Sequence, residues 1–322
     1  MELLYLSQAD VAAVGPSMAE IVDLVEQAFR EKGLGRVEMP PKPGLHPAEE
    51  AFIHAMPAYI PALRSAGVKW VSGFPQNMAR GLPYISGLLI LNDPKTGFPL
   101  AVMDCTWITA MRTGAATAVA AKYLARPESR RVGILGCGVQ GRSNLYALRV
   151  VFPAIDTVHA YDVHPENARR YQEEIEAATG LPVTRVSTPR EAVEGMDLVV
   201  TAGPILKHPT PAIEAGWLKP GGFASPVDFD SYWQPEALAE IDKFCTDDHA
   251  QFEYYQRAGY FQKVPPRHAD LGEIVAGLKP GRETDTERTM AMNLGLAIHD
   301  MATAIRVYER ARAQGIGTLL PL

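Results

Sequence analysis

Cysteine is scarce in this 322-residue chain: Cys105, Cys137 and Cys245 are odd in number and far apart. They supply neither a disulfide framework nor a Cys-rich zinc site, and no metal site is expected; a reducing, cytoplasmic setting is. No apolar run approaches the roughly 18 residues of a membrane span. The best, residues 85–91, has the length of a strand and contains Ser and Gly. The first residues, Met-Glu-Leu-Leu-Tyr, lack a basic segment followed by an apolar one, so no signal peptide is expected. Positive charge is not in surplus: 31 Lys and Arg stand against 37 Asp and Glu, a net charge of −6. That removes the electrostatic reason to bind nucleic acid or an anionic membrane. Repeats and low-complexity tracts are lacking too. What is present, 47% apolar and 21% charged residues, is globular usage. At roughly 150 residues per domain the length suggests two domains.

Along the chain, Ser17-Met-Ala-Glu20 is a capping box, after which Ile21, Leu24, Val25 and Phe29 recur at helical spacing until Gly33. Residues 52–56, 68–71, 85–91 and 100–103 read as strands of a mixed or antiparallel sheet, with a turn over residues 92–97. Residues 106–124 form a helix of small residues, which suits close packing against another backbone. From Arg131 the pattern alternates. Short apolar runs at 132–135, 157–161, 182–186, 198–201, 223–227 and 243–245 are separated by helical stretches such as 139–151 and 167–178. Such alternation predicts a doubly wound parallel sheet. A last amphipathic helix, residues 287–314, lies outside it and returns to the first domain.

The loop Gly136-Cys-Gly138-Val139-Gln140-Gly141 follows one of these strands and opens a helix. Gly136 permits a tight turn, Gly138 lets backbone approach a pyrophosphate, and Gly141 allows close helix–strand packing. The helix N-terminus offers free N–H groups to phosphate. Asp162 ends the next strand, where a carboxylate accepts bonds from the adenosine ribose hydroxyls and repels a 2′-phosphate. The loop therefore predicts a Rossmann-type domain that binds NAD in preference to NADP. The alternatives are a ligand-free Gly-rich turn and, for Asp162, a helix cap.

Charged residues in apolar surroundings come next. Lys69 lies inside an apolar strand, and a buried lysine is costly unless paired. Arg112 lies in the small-residue helix, and its planar fork suits a carboxylate. Each has the alternative of a surface cation with its stem on the core. Asp228 and Asp230 end the strand after Gly221-Gly, where ligands sit in open α/β sheets. Both are candidate acid/base groups, or else loop and capping residues.

These residues resemble the ornithine cyclodeaminase/mu-crystallin family, which includes archaeal-type alanine dehydrogenases and ketimine reductases. The likeness runs through nearly the whole chain: Met56-Pro-Ala-Tyr59, Val68 to Asn77, Ile108 to Ala116, the glycine loop, Asp162, and Asn293-Leu-Gly-Leu-Ala-Ile-His-Asp300. The resemblance implies that Lys69 and Arg112 contact the substrate's carboxylate and amino region, with Lys69 a catalytic candidate as well, and Lys42, a substrate-binding candidate, standing where many members carry an Arg. It implies an acid/base Asp. Aligned from Gly221 that is Asp230, while Asp228 replaces the family's usual Gly and leaves the choice between them open. Thr113, Val139, Gln140, Thr201, Asn293 and Gly295 join the glycines as implied cofactor contacts.

The expected architecture is thus an α/β fold. An NAD-binding Rossmann domain spans residues 116–290. A smaller α+β substrate-binding and dimerisation domain spans residues 1–115 and is completed by residues 291–322. The expected function is an NAD-dependent oxidoreductase acting on the Cα–N bond of a small α-amino acid or its imine. The alternatives are an ornithine cyclodeaminase that recycles its NAD internally and a non-catalytic, crystallin-like nucleotide binder. A homodimer is expected, with no nucleic-acid or membrane partner.

Overall fold

The computed structural model describes residues 2–48 and 50–322, with the main chain alone at Met78. The chain forms two compact units, one made of the residues up to Arg112 with Gly295–Leu322, the other of Thr113–Leu294. It passes from the first to the second inside the helix Thr106–Leu124.

The first unit is built on a seven-stranded sheet. Its strands are β1 (Glu2–Leu6), β2 (Gly44–Leu45), β3 (Phe52–Ile60), β4 (Ser65–Gly73), β5 (Ile85–Asn92), β6 (Pro99–Asp104) and a terminal strand, Thr318–Pro321. The order is terminal strand, β1, β6, β5, β4, β3, β2. Strands β3 to β6 form an antiparallel meander, and β1 joins it parallel to β6. The C-terminal helix Ala297–Gln314 packs on β3 and β4 and against the helix Met18–Gly33. The capping box is formed: Ser17 N–H donates to Glu20 Oε2 at 2.8 Å and Glu20 N–H to Ser17 Oγ at 3.3 Å. The stripe Ile21, Val25, Ala28 and Phe29 is fully buried behind it. Alternation divides the sheet's two faces. Lys69 pairs across with Leu89 on the buried face, whereas Trp70 pairs with Leu88 on the exposed one.

The second unit holds eight parallel strands: β7 (Arg131–Leu135), β8 (Thr157–Tyr161), β9 (Val183–Arg185), β10 (Leu198–Thr201), β11 (Phe223–Pro226), β12 (Lys243–Thr246), β13 (Arg267–Asp270) and β14 (Thr289–Met292). Their order is β13, β12, β14, β11, β10, β7, β8, β9. From β7 the chain winds outward through β8 and β9, then returns to build the other half from β10. The switch point, where open α/β sheets bind ligands, lies at the carboxyl ends of β7 and β10. Strands β10, β11, β12 and β14 are buried at every residue, as a sheet covered on both faces requires.

Two expectations need correction. The last helix starts at Ala297 rather than 287, because Thr289–Met292 is a strand inserted between β11 and β12. Four residues, Thr-Met-Ala-Met, buried on both sides carry no alternation, and Met and Ala suit a helix equally well. Beyond that helix, residues 318–321 form a strand that pairs antiparallel with β1. The units accordingly divide at 112/113 and 294/295 rather than at 115/116 and 290/291.

The small-residue helix does pack closely. A Cβ on Gly114 would lie 2.3 Å from the carbonyl oxygen of Ser143 in the helix Val139–Val151.

Candidate functional site

In the first unit the sequence folds three distant cationic positions inward. Lys69 projects from the middle of β4 and is 1% exposed. Its ammonium lies 2.8 Å from each oxygen of the Asp300 carboxylate and 3.3 Å from Thr109 Oγ1. Arg112, also buried, donates from Nε to the same carboxylate at 3.0 Å. Asp300 is fully buried in the first turn of the C-terminal helix. One carboxylate thus serves two cations in a dry site, where ion pairs persist only with close geometry and satisfied hydrogen bonds. Lys42 is buried nearby in sequence terms only through its fold: Nζ donates to the carbonyl of Gly295 at 3.3 Å. Gly295, expected as a cofactor contact, belongs to this unit and makes room for Arg112. Its φ is +85°, and a Cβ there would meet the Arg112 terminal nitrogens at 3.0 and 3.2 Å.

Burial pulls the Lys69 ammonium below the usual lysine range, while the charge of Asp300 pushes it back up. His54, on β3, is buried and stacked on Phe52 at 4.3 Å. Desolvation, with Lys42, His46 and Lys69 around it, lowers its imidazole to about 3, so it is neutral.

Sequence reasoning missed Asp300 and His54. The signal for Asp300 was present: an acid in the first turn of an apolar helix, inside the segment from Asn293 already singled out. No spacing rule connects it to Lys69, which lies 231 positions away.

In the second unit the glycine loop joins the end of β7 to the helix Val139–Val151 at the switch point. Gly136 has φ +100°, and a Cβ would fall 2.5 Å from the Ala202 carbonyl oxygen. A Cβ on Gly141 would fall 2.3 Å from the Gly136 carbonyl oxygen. Above Gly138 nothing lies within 4 Å of where a Cβ would be. Packing therefore demands the first and third glycines, while the second keeps free the approach to the helix N-terminus. That terminus has no side-chain cap, and Val139 is exposed there, with Gln140 half-buried. At the end of β8, Asp162 accepts from Cys137 N–H and His164 N–H, both at 2.9 Å, and from Asn167 Nδ2 at 3.2 Å. It fastens the loop and retains lone-pair capacity for a hydroxyl donor. Asn293, just past β14, is buried, and both polar atoms of its side chain lack a partner among the described residues. Thr113 is half-buried in its helix. An uncapped helix start, an open glycine, a carboxylate on the next strand and an orphaned carboxamide are the parts a dinucleotide needs, and the residues fit NAD.

Asp228 and Asp230 part company. Alternation along a strand would point them the same way, but β11 ends at Pro226 and the chain then turns. Asp228 folds inward, fully buried, accepting from Thr201 Oγ1 at 2.5 Å and Gly203 N–H at 2.8 Å. Thr201, expected at the cofactor, spends its hydroxyl there. Burial raises the Asp228 carboxyl to about 7 against those hydrogen bonds. Asp230 is half-buried, and among the described residues its carboxyl meets only its own backbone N–H; desolvation raises it above the usual range.

A doubly wound sheet with this loop, and a second unit presenting buried cations suited to a carboxylate, define the class of dinucleotide-dependent enzymes of small acids. Comparison narrows it. The profile of the ornithine cyclodeaminase/mu-crystallin family matches residues 2–315. An alanine dehydrogenase of Archaeoglobus fulgidus is 40% identical over 99% of this chain and 98% of its own. The structure of an archaeal alanine dehydrogenase dimer with bound NAD superposes with a TM-score of 0.89 at 39% identity, covering 100% of both chains. That of Thermococcus litoralis Δ1-pyrroline-2-carboxylate reductase with NADH and L-proline gives 0.88 at 36%, covering 98% of this chain and 99% of that one. The chain belongs to the ornithine cyclodeaminase/mu-crystallin family, and it is an NAD-dependent oxidoreductase of amino acids or their imines.

Proposed function

We propose that this chain interconverts a small α-amino acid and the corresponding α-imino acid, with Arg112 and Lys69 binding the carboxylate and Asp230 moving the proton at nitrogen. The observation that carries this reading is the buried Lys69–Asp300–Arg112 group. Asp300 takes only the Nε side of Arg112, so the two terminal amino groups keep the bidentate geometry that fits a carboxylate. Two cations against one carboxylate leave a positive charge in a dry site, which favours an anionic substrate.

In the oxidative direction the amine loses a proton, the Cα–H bond breaks, and C=N forms. Bound NAD supplies the two-electron chemistry, accepting that hydrogen as hydride in oxidation and returning it in reduction. Asp230 is the proposed base because, among the described residues, its carboxyl bonds to no other residue, and burial raises it above the usual carboxylate range. Asp228 holds the ends of β10 and β11 together. Where the C=N bond is hydrolysed, water adds to carbon and ammonia leaves, giving the 2-oxo acid.

We also place the working form as a homodimer in the cytoplasm. The support for a dimer is the exposed sheet face carrying Trp70, Leu88 and Ile90, at 47%, 45% and 37% exposure, together with a relative whose structure is a dimer. The support for the compartment is three free, buried cysteines. Among the described residues no helix is long and apolar enough to cross a membrane.

The test is NADH oxidation across small 2-oxo acids with ammonia or methylamine, and cyclic imino acids, run beside an ornithine-to-proline assay. Consumption of NADH with one carboxylate-bearing imine supports the reading. Proline formed from ornithine without net NADH change overturns it in favour of cyclodeamination.

A further inference from the structure

Asp300 gathers the charge of the first unit. Its Oδ1 accepts from Lys69 Nζ at 2.8 Å and from Arg112 Nε at 3.0 Å, its Oδ2 lies 2.8 Å from the same ammonium, and the side chain is fully buried. An ammonium has three donors. Asp300 and Thr109 direct those of Lys69 from one side. A guanidinium held by Nε is fixed in rotation about its stem, so the edge bearing its two terminal amino groups faces a set direction. Gly295, without a Cβ, leaves room beside those two terminal nitrogens.

We propose that Asp300 is the positioning residue of the reaction: it fixes the Lys69 ammonium and the Arg112 guanidinium at one separation and orientation, and keeps Lys69 charged to hold the substrate carboxylate. This rests on the function proposed above. A neutral amide of the same shape cannot replace it. Asn would turn an N–H₂ donor toward one of two cationic donors.

The groups facing Lys69 set the direction of the pH effect. They are Asp300 and His299 on the C-terminal helix, Arg112 and Thr109 on the helix Thr106–Leu124, Cys105 just before it, and His54 on β3. Burial holds both imidazoles neutral and the Cys105 thiol protonated. Asp300 is thus the anion that offsets Arg112, and without it the ammonium form of Lys69 is disfavoured. Imine reduction that needs the Lys69 ammonium to hold the carboxylate falls as pH rises through the lysine's pKa. Loss of Asp300 moves that fall to lower pH.

The experiment compares wild type with Asp300→Asn and Asp300→Ala in steady-state imine reduction across pH, with NADH binding measured in parallel. We expect the alkaline limb of kcat/KM to move down by about one pH unit or more. The substrate KM should rise and kcat fall by about tenfold or more each, with NADH affinity within about twofold. A second measurement needs no turnover: the ¹H–¹⁵N signal of Lys69 Nζ, assigned with Lys69→Arg, should titrate at lower pH in Asp300→Asn. An unmoved limb and an unmoved Lys69 titration, in variants that lose only thermal stability, overturn the inference and leave Asp300 structural. A wild type that turns over no imine overturns the functional reading instead, and the Lys69 titration then still decides the placement of charge by Asp300.

Discussion

Between Asp228 and Asp230 the backbone passes through Phe229 at φ +61°, a left-handed conformation that bulky residues rarely adopt. Such a residue costs about 1–3 kcal/mol and persists only where its surroundings over-determine it. Here the Phe229 ring is locked edge-on against Tyr255, Tyr260 and Phe261 at 5.2–5.8 Å. The turn sends Asp228 into the interior and leaves Asp230 half-buried. Asp230→Asn should therefore lose about 10²-fold or more in rate with NADH binding intact, read by steady-state kinetics and fluorescence titration. Asp228→Asn should chiefly lower stability, by about 1–3 kcal/mol, because an amide cannot accept from both Thr201 and Gly203. Its pH dependence has a definite sign. A carboxyl raised from 3.8 to about 7 on folding stabilises the folded state fully below its unfolded pKa and loses that contribution as pH rises through the folded one. The Tm gap between wild type and Asp228→Asn should shrink as pH rises across that window, and a gap that widens would refute the assignment. At Arg112, replacement by Lys keeps charge but not the fork. It should cost on the order of 2–4 kcal/mol in transition-state binding with NADH affinity little changed; a parallel collapse of cofactor binding would make Arg112 a structural residue. Single residues of unusual chemistry in apolar context, Lys69 and Arg112, were legible because burial of charge has few explanations. Asp300 was not, since a pair closed across 231 positions leaves no local trace.

At the scale of elements, the glycine loop separates folding from binding. A methyl group on Gly141 would run into backbone, 2.3 Å from the Gly136 carbonyl oxygen, whereas one on Gly138 meets nothing. Gly141→Ala should lower Tm by several degrees. Gly138→Ala should leave Tm nearly unchanged and weaken NADH binding by about tenfold or more, since the added carbon occupies the approach to the helix N-terminus. Thermal shift and titration on the same samples decide it; equal effects of the two substitutions would show that the loop binds nothing at Gly138. Elements with a local cause were legible: the capped helix Met18–Gly33, the helix Thr106–Leu124, the strand Leu198–Thr201 and the loop itself. Strand β14 was not, because its identity comes from its neighbours β11 and β12 rather than from its four residues. The turn after Pro226 was not, because its cause is an aromatic cluster assembled from residues 229–261.

For the whole molecule, the exposed face of the first unit is the pairing surface of the proposed dimer. Trp70 and Leu88 are directly paired across β4 and β5, with Ile90 opposite Val68 on the same face. Light scattering at micromolar concentration should give twice the 35.1 kDa of one chain, and Trp70→Arg with Leu88→Arg should return the mass to that of one chain. A wild-type monomer would remove the claim.

The division of the first unit between the two ends of the chain also orders its birth. A ribosome delivers the sequence from the N-terminus, and domains tend to fold as units as they emerge. Thr113–Leu294 is one uninterrupted stretch, so the nucleotide-binding unit is complete while the earlier-made meander still waits for its last helix. Until residue 300 emerges, Lys69 and Arg112 are two like charges with no acid to gather them, and the face on which Ala297–Gln314 packs stays open. The unit that holds Lys69 and Arg112 is begun first and finished last.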